Sequence, residues 1–472
     1  MSENISLSAC EIADQVRTRH LSPVEVVAAH LARIERINPK INAFVHVDAE
    51  AALKHAREAE SAVTRGDKLG PLHGVPISIK SSIEVAGLPW EAGTKLRAGT
   101  VGSADAPLVQ RLRNAGAIVL GVTNAPELLM AWETDNLLYG RTNNPWDLSR
   151  TAGGSSGGEA AAIASGCSAG GVGSDGGGSI RVPAHFCGIC GLKPTPGRIP
   201  ATGHFPQSVG PFALLGVVGP MSRSMSDLKV LFEVMQGPDA GDPTAAPVPV
   251  NWPEVSTGAL KNIRIGYFED DGRTPVSPET RAVVRNASEA LRGAGFKVEP
   301  FRPDALEEAR RLWWKFFGVA GGMLLGPMVR GHEHELSPIL KEFNGWVANE
   351  PPHTAQTLLD TWIERDLVRM KIFEQMEKIP VLLCPVASIP AFLHGERSWQ
   401  IDGKTVEYLD AWSYCEWFNL LGMPAAVVPV AHSADGLPIG VQIIAAPWQE
   451  ELVLSVSEIL QKQIPGPGLP PI

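Results

Sequence analysis

The stretch Gly171-Val-Gly-Ser-Asp-Gly-Gly-Gly-Ser-Ile-Arg-Val-Pro-Ala184 spells G-x-G-x-x-G at Gly171, Gly173 and Gly176, and sets Ser179 behind three consecutive glycines. Two chemistries compete for such a loop. A dinucleotide site would use the glycines to bring backbone close to a pyrophosphate. A hydrolase would use them to aim several amides at a carbonyl oxygen beside a nucleophile. The dinucleotide fingerprint needs a helix after the loop and an acidic residue about 20 positions on. Neither is found: no Asp or Glu lies between Asp175 and Asp227, and Pro183, Pro194 and Pro196 break the region where a long helix would run. A phosphate-binding P-loop fails as well, because Gly403-Lys404-Thr405 has Ser398 where that motif needs its first glycine.

A second glycine cluster lies upstream, Gly153-Gly-Ser155-Ser156-Gly-Gly158-Glu159. It matches G-x-S-x-G, but that nucleophile elbow follows a hydrophobic strand, and the preceding Asn-Pro-Trp-Asp-Leu-Ser-Arg-Thr-Ala is polar and turn-like. A Ser-His-Asp hydrolase is therefore disfavoured. Ser156-x-x-Glu159 ahead of an alanine-rich run predicts a helix N-cap at Ser156, which leaves Ser155 free for chemistry. A serine hydrolase without a suitable histidine needs another base, and a buried neutral lysine is the main substitute. Lys80 ends the β-rich run Gly74-Val-Pro-Ile-Ser-Ile-Lys80. Apolar neighbours would desolvate it and lower its pKa; the bland alternative is an edge strand that turns the lysine to solvent.

Elsewhere the chain alternates helix and strand. Ser22-Pro-Val-Glu25 reads as a capping box with Pro at N1, and residues 48–63 form a second helix ending near Gly66. Residues 107–122 read as helix, glycine stop and buried strand, and 263–300 as strand, helix, strand. This alternation predicts an α/β fold with a large, mixed, mostly buried sheet between helical layers. Four segments are expected: N-terminal helices over 1–66, a core over 67–245, an α/β and helical aromatic region over 246–378, and C-terminal strands with a helix over 379–472. Residues 236–258 look like a linker. The aromatic region 304–378, with Trp313, Trp314, Phe316, Phe317, Trp346 and Trp362, is either a lid over an apolar substrate or a helical unit packing its own core.

At 472 residues with 44% hydrophobic and 19% charged residues, the composition is globular. A net charge of −10 without a basic run disfavours nucleic acid. The N-terminus lacks a signal-peptide core, and the apolar stretch Leu-Leu-Gly-Met-Pro-Ala-Ala-Val-Val-Pro-Val-Ala is short and broken by Pro424 and Pro429. A cytoplasmic protein without a membrane partner is expected. Cys187 and Cys190 form a lone C-x-x-C, read as buried free thiols, and His332 and His334 as a solvated face.

Taken together, Lys80 in LHGVPISIK, Ser155 in GGSSGGE and Ser179 in GSDGGGSIRVPAHFCGICGLKPTPGRIP resemble the amidase signature family. VAGLPWEAGT, TDNLLYGRTNNPWD and GMPAAVVPV with DGLPIGVQII extend the likeness over nearly the whole chain. The resemblance implies a Ser-cisSer-Lys triad: Ser179 the nucleophile, Ser155 the bridge, Lys80 the base. It also implies an oxyanion hole from the amides of Gly176, Gly177, Gly178 and Ser179, with Asp175, Arg181 and Ser156 supporting the loop. Leu129, Met130 and Ala131 match positions that line the acyl pocket in relatives. With Trp90 they point to a hydrophobic or aryl-bearing amide, with esters and carbamates (urethanes) open to the same machinery. No metal or cofactor is called for, and a homodimer is admitted. The alternative is a tRNA-dependent amidotransferase, of which this chain would be the amide-hydrolysing component. The apolar pocket disfavours it, as does GSDGGG where that component has GSDTGG. Two departures stand out. Ser81-Ser82 replaces the acidic residue that commonly follows the lysine, and Gly176 replaces a threonine or isoleucine, suggesting a more open or mobile loop.

Overall fold

In the computed structural model, which describes residues 5–253 and 262–472, hydrophobic strands assemble into one eleven-stranded sheet covered by helices. The chain opens with α1 (Ala9–Arg17), α2 (Pro23–Ile41), β1 (Phe44–Val47) and α3 (Ala49–Arg65). Ser22 caps α2 by accepting from the amides of Val24 and Glu25, with Pro23 at N1. Gly66, left-handed at φ 77°, ends α3. Next come β2 (Pro76–Lys80), α4 (Pro107–Asn114), β3 (Ile118–Thr123), α5 (Gly157–Ala164), β4 (Gly170–Asp175) and α6 (Arg181–Cys187). They are followed by β5 (Cys190–Lys193), α7 (Pro211–Leu215), β6 (Val217–Ser222) and α8 (Met225–Met235).

The expected strand, helix and strand after residue 262 are β7 (Arg264–Tyr267), α9 (Pro278–Gly293) and β8 (Lys297–Pro300). Four helices follow: α10 (Leu306–Trp314), α11 (Gly321–Val329), α12 (Pro338–Ala348) and α13 (Ala355–Met376). A π-turn over Lys315–Ala320 joins α10 to α11. The resulting helical run Leu306–Val329 has the length and apolarity of a membrane span, but Trp313 and Phe316 lie buried in the core. The chain closes with β9 (Val381–Pro385), the hairpin β10 (Ser398–Ile401) and β11 (Lys404–Glu407), α14 (Ser413–Leu420), β12 (Ala425–His432), β13 (Pro438–Ala445) and α15 (Glu450–Gln463). Residues 236–253 carry neither helix nor strand; residues 1–4 of the N-terminus and 254–258 of the expected linker lie outside the described residues.

The sheet order is β1-β3-β2-β4-β6-β5-β12-β13-β9-β7-β8. Parallel pairs (β2 with β3 and β4, β7 with β8 and β9) flank an antiparallel centre. Side chains alternate between faces with period two, so Val381 and Leu383 join one core cluster while Leu382 and Cys384 join the other. β2 runs between β3 and β4 with all five residues buried. Lys80 is thus on an interior strand, not on a solvent-facing edge.

Candidate active site

Ser78 and Lys80 sit two residues apart on β2 and share one face of the strand. That face meets α5. Ser78 Oγ donates to Glu159 Oε1 at 2.5 Å, and Thr123 Oγ1 donates to Glu159 Oε2 at 2.7 Å. Lys80 Nζ donates to Ser155 Oγ at 2.7 Å, Ser156 Oγ at 2.9 Å and Ser174 Oγ at 3.0 Å. Burial holds the Lys80 ammonium well below the usual lysine range, against the pull of Asp175 and Glu159. Burial also raises the Glu159 carboxyl to about 7, opposed by the Ser78 and Thr123 hydroxyls and by Lys80. Three serine hydroxyls thus surround the amine.

Ser156 departs from its expected role. It stands at the N-cap position of α5, but its side chain makes no capping bond. The hydroxyl is drawn instead to Lys80 and to the Ser174 carbonyl, where it donates at 3.3 Å, and Glu159 is likewise held by Ser78 and Thr123 rather than by the cap. The buried amine outcompetes the local capping pattern because an unpaired donor there would be more costly than an uncapped helix end. The peptide bond between Gly154 and Ser155 is cis.

Ser179 lies immediately before the N-cap residue of α6, 9% exposed, and its carbonyl accepts from the Ser156 amide at 3.1 Å. The two glycine clusters therefore meet. The loop between β4 and α6 is fastened by Asp175, whose carboxylate accepts from the amides of Gly178 at 2.8 Å and Ile180 at 3.0 Å. Arg181 adds Nη2 at 3.0 Å and Nε at 3.1 Å. Burial alone would raise the Asp175 carboxyl, but the Arg181 guanidinium and these bonds hold it well below the carboxylate range. Arg181 is in turn anchored by Gln442 and Asn419. The Gly178 amide is thus already spent on Asp175. Of the four amides expected to bind an oxyanion, that of Gly178 is therefore bonded within the loop.

The glycines serve two different needs. Gly178 has φ 117°, a conformation closed to other residues. Gly176 and Gly177 instead yield space to the helical region. A Cβ on Gly176 would stand 2.9 Å from Phe317 Cε2, and one on Gly177 2.4 Å from Trp313 Cζ2. Trp313 Nε1 donates to the Gly176 carbonyl at 2.8 Å, and Trp132 Nε1 to that of Gly177 at 2.8 Å. The room left by Gly176 is filled by the Phe317 ring, so the expectation of a more open loop gives way to a packed one. The aromatic region both packs its own core and walls the site.

Ser155 and Ser179 line one cavity together with Leu128, Leu129, Met130, Phe212, Val217, Phe317 and His204. Ala131 lines a smaller adjoining cavity with Trp132 and Phe343. Leu128 and Leu129 hold left-handed backbones at φ 50° and 67°, a strained pair that turns this wall toward Ser179. Trp90 does not line the cavity. Its indole donates to the Ser82 carbonyl and packs on Phe205 and Arg97, bracing the wall from behind. Among the described residues, no arginine or lysine lines the cavity. His204 is among the wall residues that sequence reasoning missed, with Leu128, Phe212 and Val217: it follows no spacing rule, and only the fold brings it to the cavity of the serines. Cys187 and Cys190 are buried free thiols, pushed up by burial. His332 and His334 face Glu335 at the surface, and among the described residues no cluster of metal-ligand type occurs.

Comparison with known proteins identifies the family. The amidase family model matches residues 25–454. An acylamidase of Rhodococcus erythropolis is 35% identical over 95% of this chain and 93% of its own length. An indoleacetamide hydrolase of Bradyrhizobium diazoefficiens is 34% identical over 97% of this chain and 86% of its own. Among solved structures, a bacterial aryl acylamidase of the amidase signature enzymes superposes with a TM-score of 0.86 at 27% identity, covering 97% of this chain and 96% of that one.

Proposed function

The chain belongs to the amidase signature family, enzymes that hydrolyse amide bonds, and from that premise we propose that it acts on hydrophobic or aryl-bearing small-molecule amides through Ser179, Ser155 and Lys80. One observation carries the reading: a fully buried lysine whose Nζ lies 2.7 Å from Ser155 Oγ, on a cavity that Ser155 shares with Ser179. A lysine desolvated in this way is biased to the neutral amine, which can take a proton.

Ser179 Oγ attacks the amide carbon as its proton passes to Ser155, and the Ser155 proton passes to Lys80. The amides of Gly176, Gly177 and Ser179 receive the oxyanion. Collapse breaks the C–N bond; the leaving nitrogen takes a proton from Ser155, which recovers one from Lys80. Water then attacks the acyl-Ser179 ester through the same relay, releasing the carboxylic acid. Esters and carbamates fit the same steps. The substrate class rests on the apolar wall of Leu129, Met130 and Phe317 and on the lack of an arginine or lysine there among the described residues, which also favours an uncharged amide over the charged amide donor of an amidotransferase.

The test is a panel of p-nitroanilides, aliphatic amides, esters and carbamates with wild type, Ser179→Ala and Lys80→Ala. Ser179→Ala is expected to abolish turnover. Lys80→Ala is expected to lose about 10²–10⁴-fold in kcat/KM, the usual contribution of a proton-transfer group, and to lose the acidic limb of the pH profile. Unchanged rates for Ser179→Ala end the nucleophile assignment.

A further inference from the structure

His204 stands in the loop between β5 and α7, pinned to the segment that follows Lys80. Its backbone bridges Ile83, and the Phe205 amide donates to the Ser82 carbonyl at 2.8 Å. The ring lines the cavity that holds Ser155 and Ser179. Its Nδ1 lies 2.9 Å from the Pro206 carbonyl oxygen. A carbonyl only accepts, so Nδ1 carries the proton and Nε2 presents a lone pair. Nε2 is buried and meets no partner among the described residues. Burial pushes the imidazole down to about 4, so at neutral pH Nε2 accepts and does not donate.

A buried acceptor left unpaired is unfavourable, and an N–H donor on a bound substrate would pair it. The other polar groups on the wall serve differently. The Ser174 hydroxyl is taken by Lys80 and the Asp175 carboxylate by Gly178, Ile180 and Arg181. The Ser208 hydroxyl can donate or accept, so it discriminates little between substrates. Leu129, Met130 and Phe317 give the same cavity an apolar wall that suits an acyl group. His204 shares that cavity with Ser155, the serine from which, on the reading above, the leaving nitrogen takes its proton.

We propose that His204 is a specificity-determining residue that accepts the N–H of the scissile amide or carbamate at Nε2, and so selects N–H substrates over esters and N-alkylated amides of the same shape. The inference rests on the acyl-transfer reading above. An ester oxygen or an N-methyl group facing Nε2 leaves the acceptor unpaired in the bound complex, whereas a secondary amide satisfies it as the C–N bond breaks.

The experiment measures kcat/KM on a matched anilide, N-methylanilide and phenyl ester with wild type, His204→Leu, His204→Gln and Ser179→Ala. Each rate is corrected for the uncatalysed reactivity of its substrate. Wild type is expected to favour the anilide over the N-methylanilide. His204→Leu is expected to lose about 10–100-fold on the anilide and less than 3-fold on the other two. His204→Gln, whose Oε1 still accepts, is expected to recover part of the loss. Equal losses on all three substrates, or an unchanged anilide-to-ester ratio, overturn the inference. If His204→Leu does not fold, the wild-type and His204→Gln ratios decide alone. Residual turnover by Ser179→Ala would instead strike the acyl-transfer reading, so the two failures are distinguishable.

Discussion

Replacing Gly177 by alanine tests whether space, rather than backbone freedom, dictates glycine in the oxyanion loop. Gly178 needs its left-handed φ of 117°, but Gly177 is not among the glycines with positive φ. A Cβ there would meet Trp313 at 2.4 Å (Cζ2), 3.0 Å (Cε2) and 3.2 Å (Cη2), where ordinary contact begins near 3.4 Å. The indole or the peptide must therefore retreat by about 1 Å, the shortfall of that first contact. The indole has little freedom to do so. It is 1% exposed, stacks on Phe317 at 4.7 Å, and ties its Nε1 to the Gly176 carbonyl. Overpacking of this kind is unfavourable by about 1–3 kcal/mol, and a lost indole hydrogen bond adds about 1. Much of that strain falls on the peptides proposed as oxyanion donors, and loss of one donor lowers kcat by about 10²–10³. Gly177→Ala is therefore expected to lose about 10²-fold in kcat on a p-nitroanilide, with KM within a few-fold. Trp313→Phe deletes the Cζ2 and Cη2 atoms responsible. In that background the same glycine substitution should lose less than 10-fold, a coupling of at least about 1.4 kcal/mol. Full activity of Gly177→Ala, or an equal loss in both backgrounds, would refute the steric account.

Other outcomes follow from the buried titratable groups. Ser156→Ala removes one of three hydroxyls that accept from Lys80, which disfavours the charged amine further; the acidic limb of kcat/KM should move to lower pH, and a shift to higher pH counts against the assignment. His30, His185 and His204 are each pushed down to about 4 by burial. The unfolded chain, with histidines near 6.5, then binds up to three more protons between pH 6.5 and 4. The contribution of these three histidines should be complete above pH 6.5 and fall by up to about 4 kcal/mol per pH unit below it; urea midpoints that do not move between pH 7 and 5 exclude this. Glu159, raised to about 7 from 4.5, acts in the opposite sense, its folded form becoming less favourable as pH rises through that window. Glu159→Gln should therefore raise the melting temperature relative to wild type more at pH 8 than at pH 5, and a reversed order would show that its charge is needed beside Lys80.

What can be read from the sequence is what violates an energetic rule locally. A lysine inside Val-Pro-Ile-Ser-Ile-Lys80 is an anomaly on a hydrophobic strand, because a buried ammonium needs partners or must give up its charge. Glycine runs beside serines are an anomaly of backbone freedom. Both point to the site without any knowledge of the fold, and the alternation of helix and strand points to a mixed sheet. Ser156 shows where local reading ends. The capping pattern Ser156-x-x-Glu159 is correct in spacing and wrong in outcome, because strand partners from β2, β3 and β4 claim both side chains.

The remaining misses are all contacts between segments far apart along the chain. Trp90 is aromatic and near Lys80 in sequence, which argues for the pocket; its ring instead covers Phe205 from outside. His204 carries no motif, and only its bridge to Ile83 brings it to the serines. Gly176 is the sharpest instance. Along the chain, a glycine where a threonine or isoleucine is expected means a missing side chain and hence a looser loop. In space the missing atoms are replaced by Phe317, held in place by its stack on Trp313. The loop and the helix that walls it therefore have to be read as one unit. A bulkier residue at 176 should be tolerated only when Phe317 is made smaller, because the volume has been transferred between them and not lost.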